Sequence, residues 1–562
     1  MNTPRILIVG GVAAGASAAA RARRMNEHAE IVMLEKDEHV SFANCGLPYY
    51  VGGEITDREK LLLVTPELFR TRFRIDVRTR TEATKIDRGR KVVHVHDHRT
   101  GEDAELEYDK LILAPGASPI VPPMDGVDAA NVFTLRNVAD VDRIKAWGDS
   151  RGPKHAVVIG GGYIGLEMVE QLRAIGVAVA LVELQDQVLP LLDPEMARPL
   201  QDRLEAHGVD VRLGDSVTGL DTADGRATAT RLKSGGAIET DMVVMGIGVR
   251  PMTTLAEDAG LDLGESRGIA TNDFMQTSDP DVYAVGDAAE YPYAPGGTRM
   301  RVPLAGPANR AGRLAGEHAA TGKSSGMPPV MGTAIVRVFD LAAGMTGLSL
   351  KRAKQLGLDA RAVTVIHKHH VGYYPGARPV TLKLIYEASG DGRLLGAQAV
   401  GEAGVDKRID VIATAMRFGG TARGLAGVDL CYAPPFGAAK DPVHHAAFAA
   451  CNQLDGLIGV VQPGDDLAGY QVVDVRSKAE VEQAPLADAP HAIPIPLDEL
   501  RDRLDELDPS KPTVVSCASG QRSYNAGRIL KQHGFENVFN LTGAATLRGH
   551  ASRAKSGASS PA

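Results

Sequence analysis

The sequence predicts an α/β protein of several domains, and three stretches predict it. Two of them repeat the order of a buried strand, a glycine-rich loop and a helix, beginning at Arg5 and at Ala156. The third, near the C terminus, is a buried strand that ends in Cys517 and leads through a tight loop into a helix. Because such loops aim backbone amides at a ligand, we expect a site at each of the three.

Length and composition fit a multidomain globular protein. The 562 residues are too many for one hydrophobic core, and 44% hydrophobic with 23% charged residues is ordinary for a soluble chain. The net charge of −8 argues against a nucleic-acid-binding protein. The sequence has no uncharged apolar run of about 18 residues, the minimum for a membrane-spanning helix.

Four cysteines, Cys45, Cys431, Cys451 and Cys517, lie far apart in the chain. The sequence has no C-x-x-C pair among them, so it indicates neither a disulfide scaffold nor a zinc site. A reducing cytoplasm fits this pattern best.

The first glycine-rich loop has the pattern of a flavin-nucleotide site. A strand at residues 5–9 runs into Gly10 and Gly15 and then into an alanine-rich helix, whose first amides can hold a pyrophosphate. Glu35 ends the next strand, where an acid can bind a ribose hydroxyl. Val12 replaces the second glycine of G-x-G-x-x-G, which leaves an ordinary βαβ turn as the alternative interpretation.

The second loop is the fuller match, because Gly160, Gly162 and Gly165 supply all three glycines. Glu183 ends the following strand and would bind the ribose 2′-hydroxyl of NADH while repelling the 2′-phosphate of NADPH. No arginine immediately follows it. Two such repeats, the second inserted into the first, predict one site for FAD and one for NADH, with NADPH as the alternative nucleotide.

The first dinucleotide fold is expected to resume after this insertion. Residues 277–287 end in Gly286 and Asp287, and the Asp287 carboxylate could hold the ribityl chain of a flavin. An aspartate that only stabilises a turn is the alternative.

Cys45 lies in residues 41–50, directly downstream of the first dinucleotide-binding unit. A thiol reacts as a thiolate, so Cys45 needs a neighbour that activates it, and a bound flavin is the candidate because it can pass two electrons to sulfur. A buried, inert cysteine is the alternative interpretation.

With these motifs in place, residues 1 to about 325 resemble the two-dinucleotide-fold flavoprotein disulfide reductases. Residues 111–116 and 246–251 stand where that family has its linking motifs. A single cysteine in Ser-Phe-x-x-Cys-Gly, in place of a cysteine pair, resembles the branch of coenzyme A disulfide reductases, persulfide reductases, NADH oxidases and NADH peroxidases.

Residues 330–452 resemble the dimerisation domain of the same family. In the coenzyme A disulfide reductases, tyrosines of this domain reach across the dimer to the sulfur site, which implies that role for Tyr373 and Tyr432. A phenol there can donate a proton to a departing thiolate. Packed aromatic residues are the alternative. His367, His369 and His370 lie close together in the sequence, but alternate strand positions explain two of them, and we assign no metal.

The resemblance also implies coenzyme A contacts. The matching positions, besides Tyr432, are Ser17, Arg21, Arg24, Ser41, Asn44 and Lys440. Arginines clustered on a helix are more often a solvated face, which is the alternative for Arg21 and Arg24.

The last hundred residues predict a separate domain that follows a linker at residues 463–466. The strand ending in Cys517 is followed by a tight loop, and loop amides can stabilise a thiolate or persulfide, while Arg522 adds a cation for an anionic sulfur donor. The region resembles a single-domain rhodanese, with Asp474 and Arg476 in its Asp-x-Arg motif. A rhodanese fold kept only for docking is the alternative.

Together these observations predict an α/β chain with two Rossmann-like domains, an α+β dimerisation domain and a rhodanese-like α/β domain. We expect an FAD-binding domain at residues 1–115 and 276–325, an NAD(P)H-binding domain at 116–275, a dimerisation domain at 330–452, a rhodanese-like domain at 463–550 and a disordered tail at 551–562.

The predicted function is that of a homodimeric FAD enzyme. It would use NADH or NADPH to reduce the sulfur–sulfur bond of a coenzyme A persulfide, coenzyme A disulfide or polysulfide through Cys45. One alternative is an NADH oxidase or peroxidase in which Cys45 cycles through sulfenic acid, which the rhodanese-like domain disfavours. Another is a flavin redox sensor. We expect no nucleic-acid or membrane partner.

Overall fold

The computed structural model describes residues 4–486 and 489–556, without the side chains of residues 552–556. The chain divides into two compact units. The first contains residues 4–160, Ile164–Ala180 and Val217–Gly332, and the second contains Gly161–Tyr163, Leu181–Ser216 and residues 333–556. None of the helices in the described ranges is both long enough and apolar enough to cross a membrane.

The N-terminal part of the first unit begins with the predicted strand, loop and helix. Its strands are β1 (Arg5–Val9), β2 (Glu30–Glu35), β3 (Asp76–Thr79), β4 (Thr81–Asp87), β5 (Val92–Asp97), β6 (Glu102–Glu107), β7 (Lys110–Leu113) and β8 (Ala117–Pro119). Its helices are α1 (Ala13–Met25), α2 (Leu47–Val51) and α3 (Pro66–Phe73). Strands β4, β5 and β6 form an antiparallel sheet of their own.

The next segment holds the second glycine loop. Its elements are β9 (Val132–Phe133), α4 (Val138–Arg151), β10 (His155–Ile159), α5 (Tyr163–Ala174), β11 (Ala178–Glu183), α6 (Pro194–Ala206), β12 (Asp210–Leu213), β13 (Val217–Ala223), β14 (Arg226–Leu232), β15 (Ala237–Glu239), β16 (Met242–Met245), β17 (Val249–Pro251) and α7 (Thr254–Asp258). Within the first unit, β16 pairs in parallel with both β10 and β9.

The chain then returns to the first sheet. The elements of this return are β18 (Val282–Ala284), β19 (Tyr291–Tyr293), β20 (Thr298–Met300) and α8 (Ala305–Thr321). The sheet order is β18-β7-β1-β2-β3, so the late strand β18 pairs with β7. Helix α8 packs closely on α1, because a Cβ at Gly312 or Gly316 would lie about 2 Å from a backbone oxygen of α1 (2.1 and 2.2 Å).

The second unit contains a five-stranded antiparallel sheet in the order β21-β22-β25-β24-β23. Its elements are β21 (Ala334–Val338), β22 (Leu341–Gly347), α9 (Leu350–Gln355), β23 (Ala360–Lys368), β24 (Pro379–Glu387), β25 (Leu394–Gly401), α10 (Val405–Arg417), α11 (Ala422–Ala426) and α12 (Pro442–Leu454). Strand β25 is buried along its whole length, which accounts for its small and aliphatic residues.

The C-terminal domain is a five-stranded parallel sheet in the order β26-β30-β29-β27-β28. Its elements are β26 (Gly459–Val461), β27 (Gln471–Asp474), α13 (Lys478–Gln483), β28 (Ile493–Pro494), β29 (Thr513–Ser516), α14 (Gln521–Gln532), β30 (Val538–Leu541) and α15 (Ala544–Ser556).

Two elements of this sheet domain extend beyond the predicted range of residues 463–550. Strand β26 precedes the predicted linker and pairs with β30, so the sheet already begins at Gly459. The apolar pairing of β26 outweighs the turn signal at residues 463–466, which only connects two strands of one sheet. Helix α15 continues through residues 551–556, which are the first part of the predicted tail. Residues 557–562 lie outside the described residues.

Candidate active site

The first glycine loop requires glycine at two of the predicted positions. Gly10 has a φ of 97°, and a Cβ at Gly10 would lie 2.1 Å from the carbonyl oxygen of Ala114. A Cβ at Gly15 would lie 1.8 Å from the carbonyl oxygen of Gly10. The loop therefore closes on itself only because both residues lack a side chain.

The second loop repeats this arrangement. Gly160 has a φ of 106°, and a Cβ at Gly165 would lie 1.9 Å from the carbonyl oxygen of Gly160. Gly162 differs, because a Cβ built there meets no described atom within 4 Å. The open space at Gly162 is what a loop that binds a phosphate needs.

Glu35 and Glu183 hold the two loops in the same way. The Glu35 carboxylate accepts a hydrogen bond of 2.9 Å from the Gly11 amide, and the Glu183 carboxylate accepts one of 2.6 Å from the Gly161 amide. Both acids are buried, and burial raises the pKa of Glu35 above its ordinary value. Each acid therefore shapes its loop, and its predicted bond to a ribose remains a proposal.

The helix starts behind the loops fit anionic ligands. No side chain in the described residues caps α1, and its first turn contains no acid. The first turn of α5 likewise has no acidic residue among those described. Amides at an uncapped helix start can donate to a pyrophosphate, so the two loops fit the two nucleotides that the sequence predicted.

Asp287 is the middle residue of a short helical turn, residues Gly286–Ala288, that follows β18. Gly286 before it has a φ of 79°, and its carbonyl accepts a hydrogen bond of 2.8 Å from the Tyr291 hydroxyl. Burial raises the pKa of Asp287, and the positive charge of Arg301 opposes that rise. The turn fixes the carboxylate at the end of the first sheet, where the ribityl chain of a flavin was expected.

Cys45 lies in a single helical turn, residues Asn44–Gly46, immediately before α2. Packing of the protein around the sulfur raises the pKa of the Cys45 thiol, and the negative charges of Glu167 and Asp287 raise it further. The residue as a whole is nevertheless exposed to solvent. The polypeptide by itself thus disfavours the thiolate, so the redox role predicted for Cys45 would need a partner that activates the sulfur.

Glu167 is a residue that sequence reasoning missed. It lies on α5, two positions after Gly165, and its carboxylate accepts a hydrogen bond of 3.1 Å from the Tyr49 hydroxyl. In the sequence, its position two residues after the third glycine of the second loop was the only signal that could have identified it. Its influence on Cys45 depends on the packing of α5 within the first unit.

Two of the predicted coenzyme A contacts are already engaged within the first unit. The Ser17 hydroxyl donates to the Asn309 side chain at 2.6 Å. The Arg21 guanidinium donates twice to Glu317, at 2.9 and 2.6 Å. Arg21 is paired in the structure because α8 places the Glu317 carboxylate beside it, and its contact with coenzyme A stays a prediction.

The other predicted contacts in this unit are more accessible. Arg24 is exposed and its guanidinium lies 5.5 Å from the centre of the Phe73 ring. Asn44 is exposed next to Cys45, and Ser41 is half-buried with a φ of 47°. This strained backbone at Ser41 directly precedes the segment that contains Cys45.

The second unit brings the two predicted tyrosines together. The hydroxyl groups of Tyr373 and Tyr432 lie 3.1 Å apart, and the two residues are 75% and 46% exposed. This hydrogen bond raises the pKa of Tyr432. Lys440, the remaining predicted contact, is exposed in the same unit.

The histidines near Tyr373 form ring contacts. The His367 ring stacks on His445 with a centroid distance of 3.7 Å, and His369 lies edge-on to His370 at 4.2 Å. In residues 4–486 and 489–556 no group of three or more His, Cys, Asp or Glu side chains is arranged to bind a metal.

Cys517 lies at the base of a tight loop between β29 and α14. Its sulfur accepts a hydrogen bond of 3.0 Å from the Gly520 amide and lies 3.3 Å from the Ser523 hydroxyl. Gly520 has a φ of 101° and stands at the start of α14, so this geometry favours glycine. Ser523, which the sequence analysis did not identify, donates in turn to Asn540 at 2.6 Å.

Arg522 is paired with an acid. Its guanidinium donates to both oxygens of Glu480, at 2.8 and 2.6 Å. The pair lowers the pKa of Glu480 to about 2. The charge of Arg522 is thus paired with the Glu480 carboxylate of α13, and its role toward an anionic donor stays a prediction. Asp474 and Arg476 form a second, buried ion pair at 2.6 Å in the same domain.

Comparison with known proteins identifies the family. Residues 4–312 match the pyridine nucleotide-disulphide oxidoreductase family. The chain belongs to this family. Residues 333–442 of the oxidoreductase match the dimerisation domain of the family, and residues 463–546 match the rhodanese-like domain. The predicted fold class is confirmed.

Three relatives are informative about this oxidoreductase. It is 35% identical over 447 residues to a coenzyme A disulfide reductase of Staphylococcus aureus, a match that covers 80% of the chain and 100% of the relative. The crystal structure of reduced Bacillus anthracis CoADR-RHD superposes with a TM-score of 0.93, 44% identity and 98% coverage of each chain. A NAD-dependent persulfide reductase of A. fulgidus gives a TM-score of 0.89 with 38% identity, covering 97% of this chain and 99% of its own.

The family and the loop geometry agree on the cofactors. The oxidoreductase is a flavin enzyme that uses FAD and NAD(P)H. The uncapped start of α1 and the open space at Gly162 fit the two pyrophosphates.

Proposed function

We propose that this oxidoreductase uses NADH to reduce the sulfur–sulfur bond of coenzyme A persulfide, coenzyme A disulfide or polysulfide. The observation that supports the proposal most strongly is the presence of two different cysteine sites in one chain. Cys45 follows a dinucleotide-binding loop, and Cys517 lies in a loop whose amide donates to its sulfur. The S. aureus and A. fulgidus relatives are named for reductases of coenzyme A disulfide and of persulfide.

Cys45 is the proposed redox cysteine. Its thiolate attacks one sulfur of the substrate, which forms a mixed disulfide and releases the other sulfur as a thiolate. Bound FAD supplies the two electrons of NADH that restore the Cys45 thiolate. For a persulfide the balance is CoA–S–SH plus NADH plus H⁺ giving CoA–SH, H₂S and NAD⁺.

Tyr373 and Tyr432 are the proposed proton donors to the departing thiolate. Their hydroxyl groups share one hydrogen bond and both side chains are exposed, so either is accessible to a substrate or to a second subunit. The match of residues 333–442 to a dimerisation domain supports a homodimer in which they complete the partner's Cys45 site.

Glu183 and its neighbours support NADH over NADPH. Glu183 ends β11, and Leu184, Gln185 and Asp186 follow it, so no cation is provided there for a 2′-phosphate. The Asp186 carboxylate adds negative charge to the same segment. Discrimination against NADPH is therefore expected from repulsion by two acids.

Binding of the coenzyme A phosphates is assigned to exposed cations and nearby polar groups. Arg24 and Lys440 are exposed in the structure, whereas Arg21 must exchange Glu317 for a phosphate. Ser17, Ser41 and Asn44 are assigned to polar contacts with the same ligand.

The C-terminal domain is proposed to be a sulfurtransferase. The Cys517 thiolate attacks the outer sulfur of a donor such as thiosulfate, the sulfur–sulfur bond of the donor breaks, and sulfite leaves with the electron pair. Cys517 becomes a persulfide, and the Gly520 amide stabilises the negative charge on its sulfur. The four cysteines of the chain are free thiols, which supports a reducing location such as the cytoplasm.

One assay tests the proposal against its alternatives. Purified enzyme is offered coenzyme A persulfide, coenzyme A disulfide, polysulfide, oxygen and peroxide in parallel, and NADH loss is followed. Preference for the sulfur acceptors supports the proposal, and preference for oxygen or peroxide supports the oxidase or peroxidase. A single stoichiometric reduction without turnover would indicate a redox sensor.

A further inference from the structure

The second unit contains a buried cluster of charges that the proposed chemistry does not use. Lys383 donates to Asp193 at 2.8 Å and to Glu195 at 2.6 Å. The three side chains are only 2%, 4% and 9% exposed. Burial opposes the charge of Lys383, but the two carboxylates outweigh it and hold the pKa of the ammonium above its ordinary value.

The Asp193 side chain belongs to this cluster and does not cap its own helix. It stands at the N-cap of α6, yet its side chain makes no capping bond to that helix. Instead its two oxygens accept from the amides of Leu350 and Lys351, both at 3.1 Å. Those two residues begin α9, so Asp193 accepts from the first two amides of a helix of the dimerisation domain, while the side chain of its N-cap Ser349 accepts from Arg352.

The dimerisation sheet holds Asp193 from a second direction. Gln398 donates to the Asp193 carboxylate at 3.0 Å and accepts from the Asp193 amide at 3.0 Å. Gln398 on β25 pairs directly with Lys383 on β24, so the two side chains leave the same face of the sheet. The backbone and the side chain of Asp193 are thus both fixed to that face.

A short chain of hydrogen bonds leads from Asp193 back to the second glycine loop. Leu192, the preceding residue, donates from its amide to the carbonyl of Leu189 at 2.9 Å. The amide of Leu189 donates to the carbonyl of Gly161 at 2.9 Å. Leu189 is buried and has a φ of 44°, an uncommon conformation for leucine that the surrounding contacts must maintain.

From these contacts we propose that Lys383, Asp193, Glu195 and Gln398 position the glycine loop that binds the nicotinamide nucleotide. The dimerisation sheet then sets the affinity for NADH, although it contains no residue of the glycine loop. The inference rests on the proposed use of NADH. A buried ion cluster is weak evidence of a contribution to folding stability, because apolar residues of similar volume often stabilise a fold equally well. Its connection to Gly161 supplies a reason for the charges to be there.

The test measures NADH binding by calorimetric titration to FAD-loaded enzyme whose flavin has first been reduced, so that NADH binds without reacting. The KM for NADH and kcat are measured on the same variants. Gln398→Leu removes both hydrogen bonds to Asp193 and leaves the charges paired, and Lys383→Met removes the ammonium. We expect both variants to raise the Kd and the KM for NADH about tenfold, equivalent to about 1.4 kcal/mol, with kcat nearly unchanged. FAD content and sulfur transfer by Cys517 should stay as in the unaltered enzyme.

Arg203→Ala is the matched control. Arg203 lies near the other end of α6 and pairs with Asp340 and Glu402 of the dimerisation domain, outside the path to Gly161. We expect it to leave the Kd for NADH within about twofold.

The possible outcomes separate the inference from the proposed function. A folded Gln398→Leu enzyme with a lower melting temperature and an unchanged Kd would overturn the inference, and this variant decides if Lys383→Met does not fold. Titration with NADPH runs in parallel. Binding of NADPH in place of NADH by the unaltered enzyme would refute the cofactor assignment, and the Kd for NADPH would then test the positioning role.

Discussion

At the scale of the residue, the surroundings of Cys45 disfavour its thiolate form. Packing around the sulfur, together with Glu167 and Asp287, raises the pKa of the thiol. A thiol without an activating group would be a poor nucleophile near neutral pH. The reactivity of Cys45 should therefore depend on the bound cofactor and substrate.

We predict that Cys45→Ser retains FAD and NADH binding but loses reduction of disulfides and persulfides by more than about 1,000-fold. The reason is that the proposed flavin site, at Gly10, Gly15 and Glu35, does not include the sulfur. Visible absorbance of the purified variant and its bleaching by NADH measure the binding of FAD and NADH. Steady-state NADH loss measures the reduction of disulfides and persulfides.

Cys451→Ser is the control for the Cys45 substitution, because Cys451 lies on α12 in the other unit. Undiminished turnover in the Cys45 variant would show that another group relays the electrons.

The charge of Glu480 affects which sulfur donors the proposed sulfurtransferase site should prefer. It neutralises Arg522, which is otherwise the cation for an anionic donor such as thiosulfate. The folded-state pKa of Glu480 is depressed to about 2, so the pair is complete above the ordinary glutamate range and is lost as the pH falls towards 2. The pairing thus persists at all physiological pH values.

We predict that Glu480→Gln raises kcat/KM for thiosulfate about fivefold, because a freed guanidinium attracts the dianion. The gain should shrink at high salt, and transfer from a coenzyme A persulfide should change little. Sulfur transfer assays at two ionic strengths measure both effects. Glu482→Gln, an exposed acid on the same helix, is the control. A loss of thiosulfate activity in the Glu480 variant would assign the pair to positioning the loop instead.

At the scale of the element, the two glycine loops share the same arrangement of strand, loop, helix and acid. In each, an acid at the end of the second strand binds the amide that follows the first glycine. The helix start is then open to an anion.

The tyrosine pair connects two loops of the dimerisation domain through one hydrogen bond between the hydroxyl groups.

We predict that Tyr373→Phe combined with Tyr432→Phe slows reduction of the bound substrate by about 100-fold, the usual contribution of general acid catalysis. Reduction of the enzyme by NADH should be nearly unchanged, because the phenols act only on the departing thiolate. Rapid mixing separates the two half-reactions. Tyr374→Phe is the neighbouring control, and equal rates for all variants in the substrate half-reaction would reject the assignment.

At the scale of the whole molecule, the sulfurtransferase domain is joined to the dimerisation sheet by more than a linker. The Thr364 amide donates to the Thr542 hydroxyl at 2.5 Å, and that hydroxyl donates to the Thr364 carbonyl at 3.0 Å. Gln462 adds a hydrogen bond of 2.9 Å to the carbonyl of Ala362. Transfer of sulfur by swinging the domain would require these bonds to break, so a carrier with a long arm, such as coenzyme A, suits the task.

We predict that Cys517→Ala abolishes sulfur transfer from thiosulfate or polysulfide and leaves reduction of preformed coenzyme A persulfide nearly intact. The reason is that the two cysteines act in separate steps, linked only by the persulfide that passes between them. Sulfur transfer and NADH loss are measured on the same preparation. Retained transfer would exclude the sulfurtransferase role, and equal loss of both activities would place Cys517 in the reductase cycle.

Much of the fold was accessible to sequence reasoning because its signals are local. The glycines of both loops lie within a few residues of the strands and helices that they join, and their spacing reflects contacts inside one βα unit. The insertion was also predictable, since Asp287 marks the return of the first sheet. The pairing of β26 with β30 was not predicted, because a strand of three residues that lies before the turn signal at residues 463–466 does not stand out in the sequence.

The sequence by itself determined where the nucleotide loops, Cys45 and the Cys517 loop lie, because those features depend on neighbouring residues. Only the tertiary structure decided which charges are free. Arg522 meets Glu480 across 42 residues, Tyr373 meets Tyr432 across 59, and Lys383 meets Glu195 across 188. Such pairs form when separate elements pack together, and a charge that is paired in the fold looks the same in the sequence as one left for a ligand.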